Sequence, residues 1–216
     1  RRQRQMCIRD SYYMLARDIC NEDAWTRIQE CFGLYSHDHI TACAIPMAKI
    51  DDKPEPFKGA TSILNWWNSM EQRSIELSLK YSYMFVTDIT NCFGQINPEA
   101  IGWALARKGT PHETTDNSEL ASVIQRYLRA MQEGKNIGIP QGSSLFSLIA
   151  EIILGYTDML LAQEIANEQE AGILPKDLEY EILRYVDDYR IFCNDRDALD
   201  KLSLIHISEP TRLRCI

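Results

Sequence analysis

The feature that most constrains this chain is a pair of adjacent aspartates inside an apolar, strand-forming stretch. Residues 183–192 read LRYVDDYRIF, and Asp187 and Asp188 interrupt a run that otherwise has the aromatic and aliphatic composition of a buried strand. Two ionised carboxylates a few ångströms apart repel each other and lose solvation in such a place. The stretch therefore predicts two short strands joined at the aspartates, with a divalent cation compensating their charge.

The ligand type indicates which cation is expected. Carboxylate oxygens with no nitrogen or sulfur ligand nearby favour Mg²⁺, with Mn²⁺ as the alternative. Two carboxylates rarely hold the metals of a phosphoryl-transfer site alone, so a third is expected on a neighbouring strand. Asp88 is the candidate, because YSYMFVTDIT at residues 81–90 has the composition of a strand and Asp88 stands at its end.

The two ends of the chain differ in character from its middle. Residues 1–10, RRQRQMCIRD, and residues 202–216, which begin LSLIHISEPTR, read as in-frame translations of transposase-type sequencing adapters. We interpret both as adapter-like artefacts and expect them to lie outside the packed core. The chain has 23 Lys and Arg and 31 Asp and Glu residues; the ends hold six arginines and two acidic residues, which leaves 17 basic and 29 acidic residues between them. The middle is therefore strongly acidic.

Hydrophobic periodicity predicts helices around these strands. We expect a hairpin within EYEILRYVDDYRIFCND at residues 179–195 and a Pro- and Gly-punctuated segment at 32–58. The order of elements predicts an α+β fold in which helices cover one face of a mainly antiparallel sheet. Helices are expected at residues 11–31, about 60–80, near 98–107, near 118–132 and at about 143–169.

Cysteine and histidine residues give a weaker metal signal. Between the two ends, five cysteines show no CxxC pair and no regular spacing, which argues against a disulfide framework and a zinc ribbon. The stretch CFGLYSHDHITAC does bring four candidate zinc ligands close together, and four such ligands can close a tetrahedral site. Their spacing fits no standard finger, so we favour ordinary loop and core residues, with zinc as the alternative, for Cys31, His37, His39 and Cys43.

The longest apolar run does not indicate a membrane span. SLIAEIILGYTDMLLA at residues 147–162 contains Glu151 and Asp158, and no signal-peptide pattern remains once the ends are set aside. We therefore expect a cytoplasmic protein without membrane contact.

Three segments, in this order along the chain, resemble the palm motifs of reverse transcriptases. VTDITNCF at residues 86–93 resembles motif A, GIPQGSSLFSLIAEI at 138–152 motif B, and RYVDD at 184–188 motif C. The surrounding residues are most similar to bacterial retron-like, abortive-infection and other defence-associated members. The resemblance covers about residues 60–195 and implies partial fingers over 11–80 and a palm over 81–201, with the thumb missing.

The resemblance also implies a role for each matching position. Asp88, Asp187 and Asp188 match the catalytic, metal-binding aspartates, and the carbonyl of Ile89 matches an additional metal ligand. Phe93 matches the bulky residue beneath the nucleotide sugar. The nucleotide-binding part of motif B is matched by Pro140, Gln141 and Gly142.

The implied function is RNA-directed DNA polymerisation by two-metal phosphoryl transfer, in which dNTPs extend a nucleic-acid primer on an RNA template. A noncoding RNA or an effector protein is an expected partner, in a bacterial antiviral-defence or retroelement context. Without a thumb, the 216-residue chain alone is expected to be inactive.

Two alternatives remain. An RNA-dependent RNA polymerase usually has Gly where this chain has Val186, and a second aspartate where it has Cys92 and Phe93. A catalytically silent palm scaffold is expected to lose a carboxylate, and all three are present.

Overall fold

The computed structural model describes residues 2–44, 67–105 and 118–215, and the chain has the predicted α+β class. It divides into two compact units. Unit 1 comprises Arg1–Ser36, Asn91–Met159 and Pro210–Ile216, and unit 2 comprises His37–Thr90 and Leu160–Glu209.

The described residues form eight α-helices, one π-helical turn and four strands. In chain order these are α1 (Arg2–Ile19), α2 (Glu22–Tyr35), β1 (Ile40–Ala42), the π-helical turn (Trp67–Gln72), α3 (Arg73–Lys80), β2 (Tyr83–Asp88), α4 (Cys92–Gln95), α5 (Ala100–Leu105), α6 (Ser118–Met131), α7 (Ser144–Glu170), β3 (Tyr180–Tyr185), β4 (Asp188–Cys193) and α8 (Arg196–Cys215).

The single helix expected at residues 11–31 is in fact two helices. The break lies at Asn21, whose side-chain oxygen accepts a hydrogen bond of 3.2 Å from the backbone N–H of Asp23. Asparagine is among the best N-cap residues, and acidic residues such as Glu22 and Asp23 are favourable in a first helical turn. This cap gives α2 its own beginning.

Unit 1 is a helical unit with a well-buried interior. Within it, α1 packs against α6, and α5 packs against both α6 and α2. The hydroxyl of Tyr35 in α2 donates a hydrogen bond to the carbonyl of Ala104 in α5. Burial raises the pKa of Tyr35, so this hydroxyl keeps its proton and remains a donor.

Unit 2 is built on a four-stranded sheet with the strand order β1-β3-β4-β2. The pairs β3–β4 and β2–β4 are antiparallel, whereas β1 pairs with β3 in parallel, so the sheet is mixed. Strand β1 lies inside the segment that was expected to be irregular. Its three residues are too few to show a period, and pairing with β3 is what makes them a strand, through bonds such as Cys43 N–H to the Arg184 carbonyl at 2.7 Å.

Apolar residues cover both faces of this sheet, not one face as expected. On the first face, ends of α7 and α8 pack against the strands, and the cluster contains Ile40, Leu161, Ile165, Leu174, Tyr180, Ile182, Tyr189, Ile191, Cys193, Ala198, Leu199 and Leu202. On the second face, the π-helical turn and α3 supply Met70 and Leu77 to a smaller cluster with Cys43, Tyr81, Leu183 and Phe192. Side chains alternate between faces along a strand, so β3 and β4 contribute to both clusters.

Helix α7 is long and apolar enough, by length and composition, to cross a membrane. Of its apolar window, 67% is buried inside the structure. This is weak evidence for a span, because a buried core helix passes the same test.

Helices run through both expected junctions near the chain ends. Helix α1 begins at Arg2 and α8 continues to Cys215, so neither junction coincides with the end of an element. Leu202 is 1% exposed within the first-face cluster, and Ile205 packs against that cluster. The expectation that the whole of 202–216 lies outside the packed core is therefore wrong at its first residues.

Candidate functional site

The strand pairing in unit 2 places Asp88 beside Asp188. The two residues are direct partners in the antiparallel pair of β2 with β4, at the end of β2 and the start of β4. The next backbone hydrogen bond joins the N–H of Ile89 to the carbonyl of Asp187 at 3.0 Å, so the aspartates form a non-hydrogen-bonded pair. Side chains approach most closely in such pairs, with Cα atoms about 4.5 Å apart. The two carboxylates therefore leave the same face of the sheet as nearest neighbours.

Asp187 lies in the tight turn between β3 and β4. Strand β3 ends at Tyr185, which pairs directly with Asp188, so Val186 and Asp187 form a two-residue hairpin loop. This confirms the hairpin that was predicted at the paired aspartates. The strand predicted at 81–90 is also confirmed, with bounds Tyr83–Asp88.

The backbone of this turn is strained. Val186 has φ 56°, in the left-handed region, whereas Asp187 has no positive φ. Positive φ at the first loop residue is a feature of type II′ hairpin turns, where glycine is the usual residue. A β-branched residue in this region is a genuine outlier and costs about 1–3 kcal/mol. The turn that carries Asp187 thus stores strain that the surrounding structure must hold.

The electrostatics of the site reflect three neighbouring carboxyl groups. Packing at the start of β4 removes part of the hydration of Asp188 and raises its pKa, and the charges of Asp187 and Asp88 raise it further. Arg190 acts in the opposite direction and lowers this pKa. The carboxylate cluster therefore carries repulsion that an added positive charge would relieve.

Arg190 occupies the next row on the same face of the sheet. It is two residues after Asp188 on β4 and pairs across β2 with Val86. Its guanidinium donates a hydrogen bond of 2.5 Å to the carboxylate of Glu71 in the π-helical turn, and both side chains are about a quarter exposed. Glu71 thereby holds Arg190 one row behind the aspartates on this face of the sheet.

Within residues 2–44, 67–105 and 118–215, no three side chains of His, Cys, Asp or Glu form a group that could hold a metal ion as placed. Repulsion favours rotamers that separate like charges. The donor set of the three aspartates is nevertheless all oxygen, as Mg²⁺ and Mn²⁺ prefer, so its ligand chemistry suits such a cation. The four residues considered for zinc likewise form no such group among the described residues. One of them, His39, lies against the ring of Tyr180, with the two ring centroids 4.9 Å apart.

The residues matched to nucleotide binding lie in unit 1, where the backbone at Phe93 and Gly94 lies against the backbone at Gly138 and Ile139. The N–H of Ile139 donates a hydrogen bond of 2.7 Å to the carbonyl of Phe93. Gly138, with φ +56°, lies so close that a Cβ atom on it would be 2.6 Å from that carbonyl and 2.8 Å from Gly94. Only glycine allows this approach of two backbones.

The end of the loop that precedes α7 is exposed to solvent. Pro140 is half-buried, and Gln141 and Gly142 are exposed just before α7. Gly142 has φ +100°, and a Cβ atom there would meet nothing within 4 Å. Gln141 is thus presented to solvent on a loop anchored through Ile139 to the half-buried Phe93.

Sequence reasoning missed two arginines, Arg184 and Arg190, on the two strands of the aspartate hairpin. Arg184 is fully buried and donates from Nη1 to the carbonyl of Val186 at 3.3 Å. Its position in an apolar strand immediately before Tyr185 was an available signal, because charged residues are rarely buried without a structural or functional reason. The pairing of Arg190 with Glu71 joins residues far apart in the sequence, and no local pattern indicates it.

Comparison with known proteins adds no assignment. No protein-family model matches this chain. No curated protein matches its sequence either.

Proposed function

We propose that the chain contains the palm of a reverse transcriptase, an RNA-directed DNA polymerase that uses Mg²⁺. The observation that carries this proposal is the cross-strand pair of Asp88 and Asp188 with Asp187 in the adjoining turn. Three carboxylates from a strand end and a hairpin turn give the oxygen-only ligand set of a two-metal phosphoryl-transfer site.

In this proposal each residue has a distinct task. Asp88 and Asp187 hold the cations together with the Ile89 carbonyl, and Asp188 adds negative charge beside them. Bound Mg²⁺ supplies Lewis-acid activation of a primer 3′-hydroxyl and neutralises charge on the triphosphate. Arg190 donates to Glu71, so it offsets the charge of the aspartates only in part.

The resemblance to reverse transcriptases assigns the nucleotide contacts to Phe93, Pro140, Gln141 and Gly142. The half-buried ring of Phe93 offers a ribose 2′-hydroxyl no hydrogen bond, which favours deoxynucleotides. Pro140, Gln141 and Gly142 lie against template and incoming nucleotide. RNA is then read by base pairing and by the shape of its backbone, without side-chain readout of sequence.

Binding of Mn²⁺ tests the site, and primer extension tests the reaction. We expect the 216-residue chain to bind Mn²⁺, measured by electron paramagnetic resonance, and Asp88→Asn and Asp187→Asn to weaken binding at least tenfold. Asp177→Asn, an exposed aspartate elsewhere in unit 2, is the matched control and should bind as the unchanged chain does.

The extension assay uses the protein continued through a thumb segment, with an RNA template and dNTPs or rNTPs supplied separately. Asp88→Asn and Asp187→Asn should each reduce dNTP incorporation by several orders of magnitude. Undiminished extension by Asp187→Asn would contradict the site assignment. A preference for rNTPs would favour an RNA polymerase instead.

A further inference from the structure

The hairpin that carries Asp187 contains a residue in an unfavourable conformation. Val186 adopts φ 56°, which a β-branched residue rarely does. Strained backbone persists only where neighbouring structure fixes it.

Arg184 provides a direct contact with the strained residue. It precedes Val186 by two positions on β3, and its Nη1 atom donates to the Val186 carbonyl at 3.3 Å. Its own backbone is fixed on both sides, since it pairs with Tyr189 on β4 and with Ala42 on β1. The side chain is fully buried, so the guanidinium has little freedom to move.

The bonded carbonyl belongs to the peptide unit between Val186 and Asp187. That unit is planar, so fixing the carbonyl also fixes the N–H of Asp187 and the direction of its chain. On the other side of Asp187, its own carbonyl accepts from the N–H of Ile89. Asp187 is therefore held between a bond to its preceding peptide unit and a bond to β2.

We propose that Arg184 is a positioning residue that holds Val186 in its left-handed conformation and thereby sets the direction of the Asp187 carboxylate. Arg184 touches no reacting group in this account, and it acts through the turn. This inference rests on the proposed function only where it takes the Asp187 carboxylate to be a metal ligand. The coupling between Arg184 and Val186 stands on the geometry alone.

Glycine at position 186 makes this coupling testable. Glycine adopts positive φ without the cost that valine incurs, so a turn with glycine needs less support from Arg184. We therefore expect Val186→Gly to rescue Arg184→Met. Val186→Ile, which keeps the branched side chain, should give no rescue. A purely structural role for Arg184 in the core would be insensitive to the residue at 186.

Amide hydrogen exchange of Ile89 gives a local readout, because its N–H bonds to the carbonyl of Asp187. In the 216-residue chain, Arg184→Met should speed exchange at Ile89 at least tenfold. Exchange at Ile182, whose N–H bonds to the His39 carbonyl at 2.8 Å, should change less than threefold. In the double variant Arg184→Met with Val186→Gly, exchange at Ile89 should return to within threefold of the unchanged chain.

Equal acceleration at Ile89 and Ile182, or the absence of rescue by Val186→Gly, would overturn the proposal. If Arg184→Met does not fold, Arg184→Lys decides the question. Lysine keeps one charged donor, so exchange at Ile89 should be moderately faster than in the unchanged chain, and Val186→Gly should slow it again. A lysine variant that exchanges at Ile89 as the unchanged chain does, or that ignores Val186→Gly, contradicts the role.

Mn²⁺ affinity separates this inference from the proposed function. Arg184→Met should weaken Mn²⁺ binding at least fivefold, and Val186→Gly should restore it. If the unchanged chain binds no Mn²⁺, the metal-site proposal fails, and the exchange measurements still decide whether Arg184 holds the turn.

Discussion

Replacing Asp188 with Asn should stabilise the protein when no divalent cation is present. Asn keeps the volume of the side chain and removes one charge from the group formed with Asp88 and Asp187. For charges about 5 Å apart at an effective dielectric constant of 40–80, one repulsive interaction is worth roughly 1–2 kcal/mol. Asp188 is exposed, and solvent screening brings the expected gain to about 1 kcal/mol.

Thermal unfolding in EDTA at low salt and pH 7 measures this gain. In a chain of this size, about 1 kcal/mol raises Tm by about 2–4 °C. The gain should shrink in 0.5 M NaCl, since exposed charges are screened over a few ångströms there. Added Mg²⁺ should reverse the order, because a ligand that binds the folded state stabilises the unchanged chain more. Asp177→Asn is the control and should show none of these effects.

The pH dependence has a definite sign. The pKa of Asp188 is raised above its ordinary value of 3.8 in the folded chain. In the pH window between the ordinary pKa and the raised one, the folded state therefore binds more protons than the unfolded state. Stability therefore falls as the pH rises from the ordinary pKa through the raised one. Asp188→Asn should leave the stability of the folded chain unchanged below this pH window and should increase it above the window. A variant that is destabilised at pH 7, or whose gain is independent of both salt and pH, would refute the reasoning.

Three further predictions concern other parts of the chain. Phe93→Val should raise ribonucleotide incorporation relative to deoxynucleotide at least tenfold in primer extension, about 1.4 kcal/mol of discrimination; an unchanged ratio with lower stability would show that Phe93 only packs. Gly138→Ala should destabilise by about 2 kcal/mol or more in urea unfolding, because positive φ and close backbone contact both oppose a Cβ atom, whereas Gly142→Ala, with open space, should cost only about 1 kcal/mol. Removing residues 206–216 should change stability by less than about 0.5 kcal/mol, whereas Leu202→Ala should cost about 2–5 kcal/mol; the reverse order of the two losses would contradict the burial of Leu202.

The sequence predicts the site best where local pattern decides the structure. The aromatic and β-branched residues before Asp88 identify a strand that ends there, and the apolar residues around Asp187 identify the hairpin. Both follow from side-chain chemistry within about ten residues. The N-cap Asn21, followed by two acidic residues, was an equally local signal, and it would have divided the first predicted helix correctly.

Long-range pairing and backbone strain were beyond the sequence. Strand β1 exists because its three residues pair with β3, and nothing within those residues specifies a strand. The bond from Arg190 to Glu71 joins two elements far apart in the chain. Val186 shows the opposite of its intrinsic preference, since local rules place valine in extended backbone and the turn requires positive φ.

The pairing of Asp88 with Asp188 has a consequence for the order of folding. Strands β3 and β4 are separated by two residues, whereas the partners Asp88 and Asp188 lie one hundred positions apart. A hairpin closes in microseconds, but joining β2 to it requires closure of a long loop, with its larger entropic cost. We therefore expect Asp187 and Asp188 to reach their final arrangement early and Asp88 to arrive late. Slow steps in refolding should limit the recovery of the complete carboxylate group more than the recovery of the hairpin.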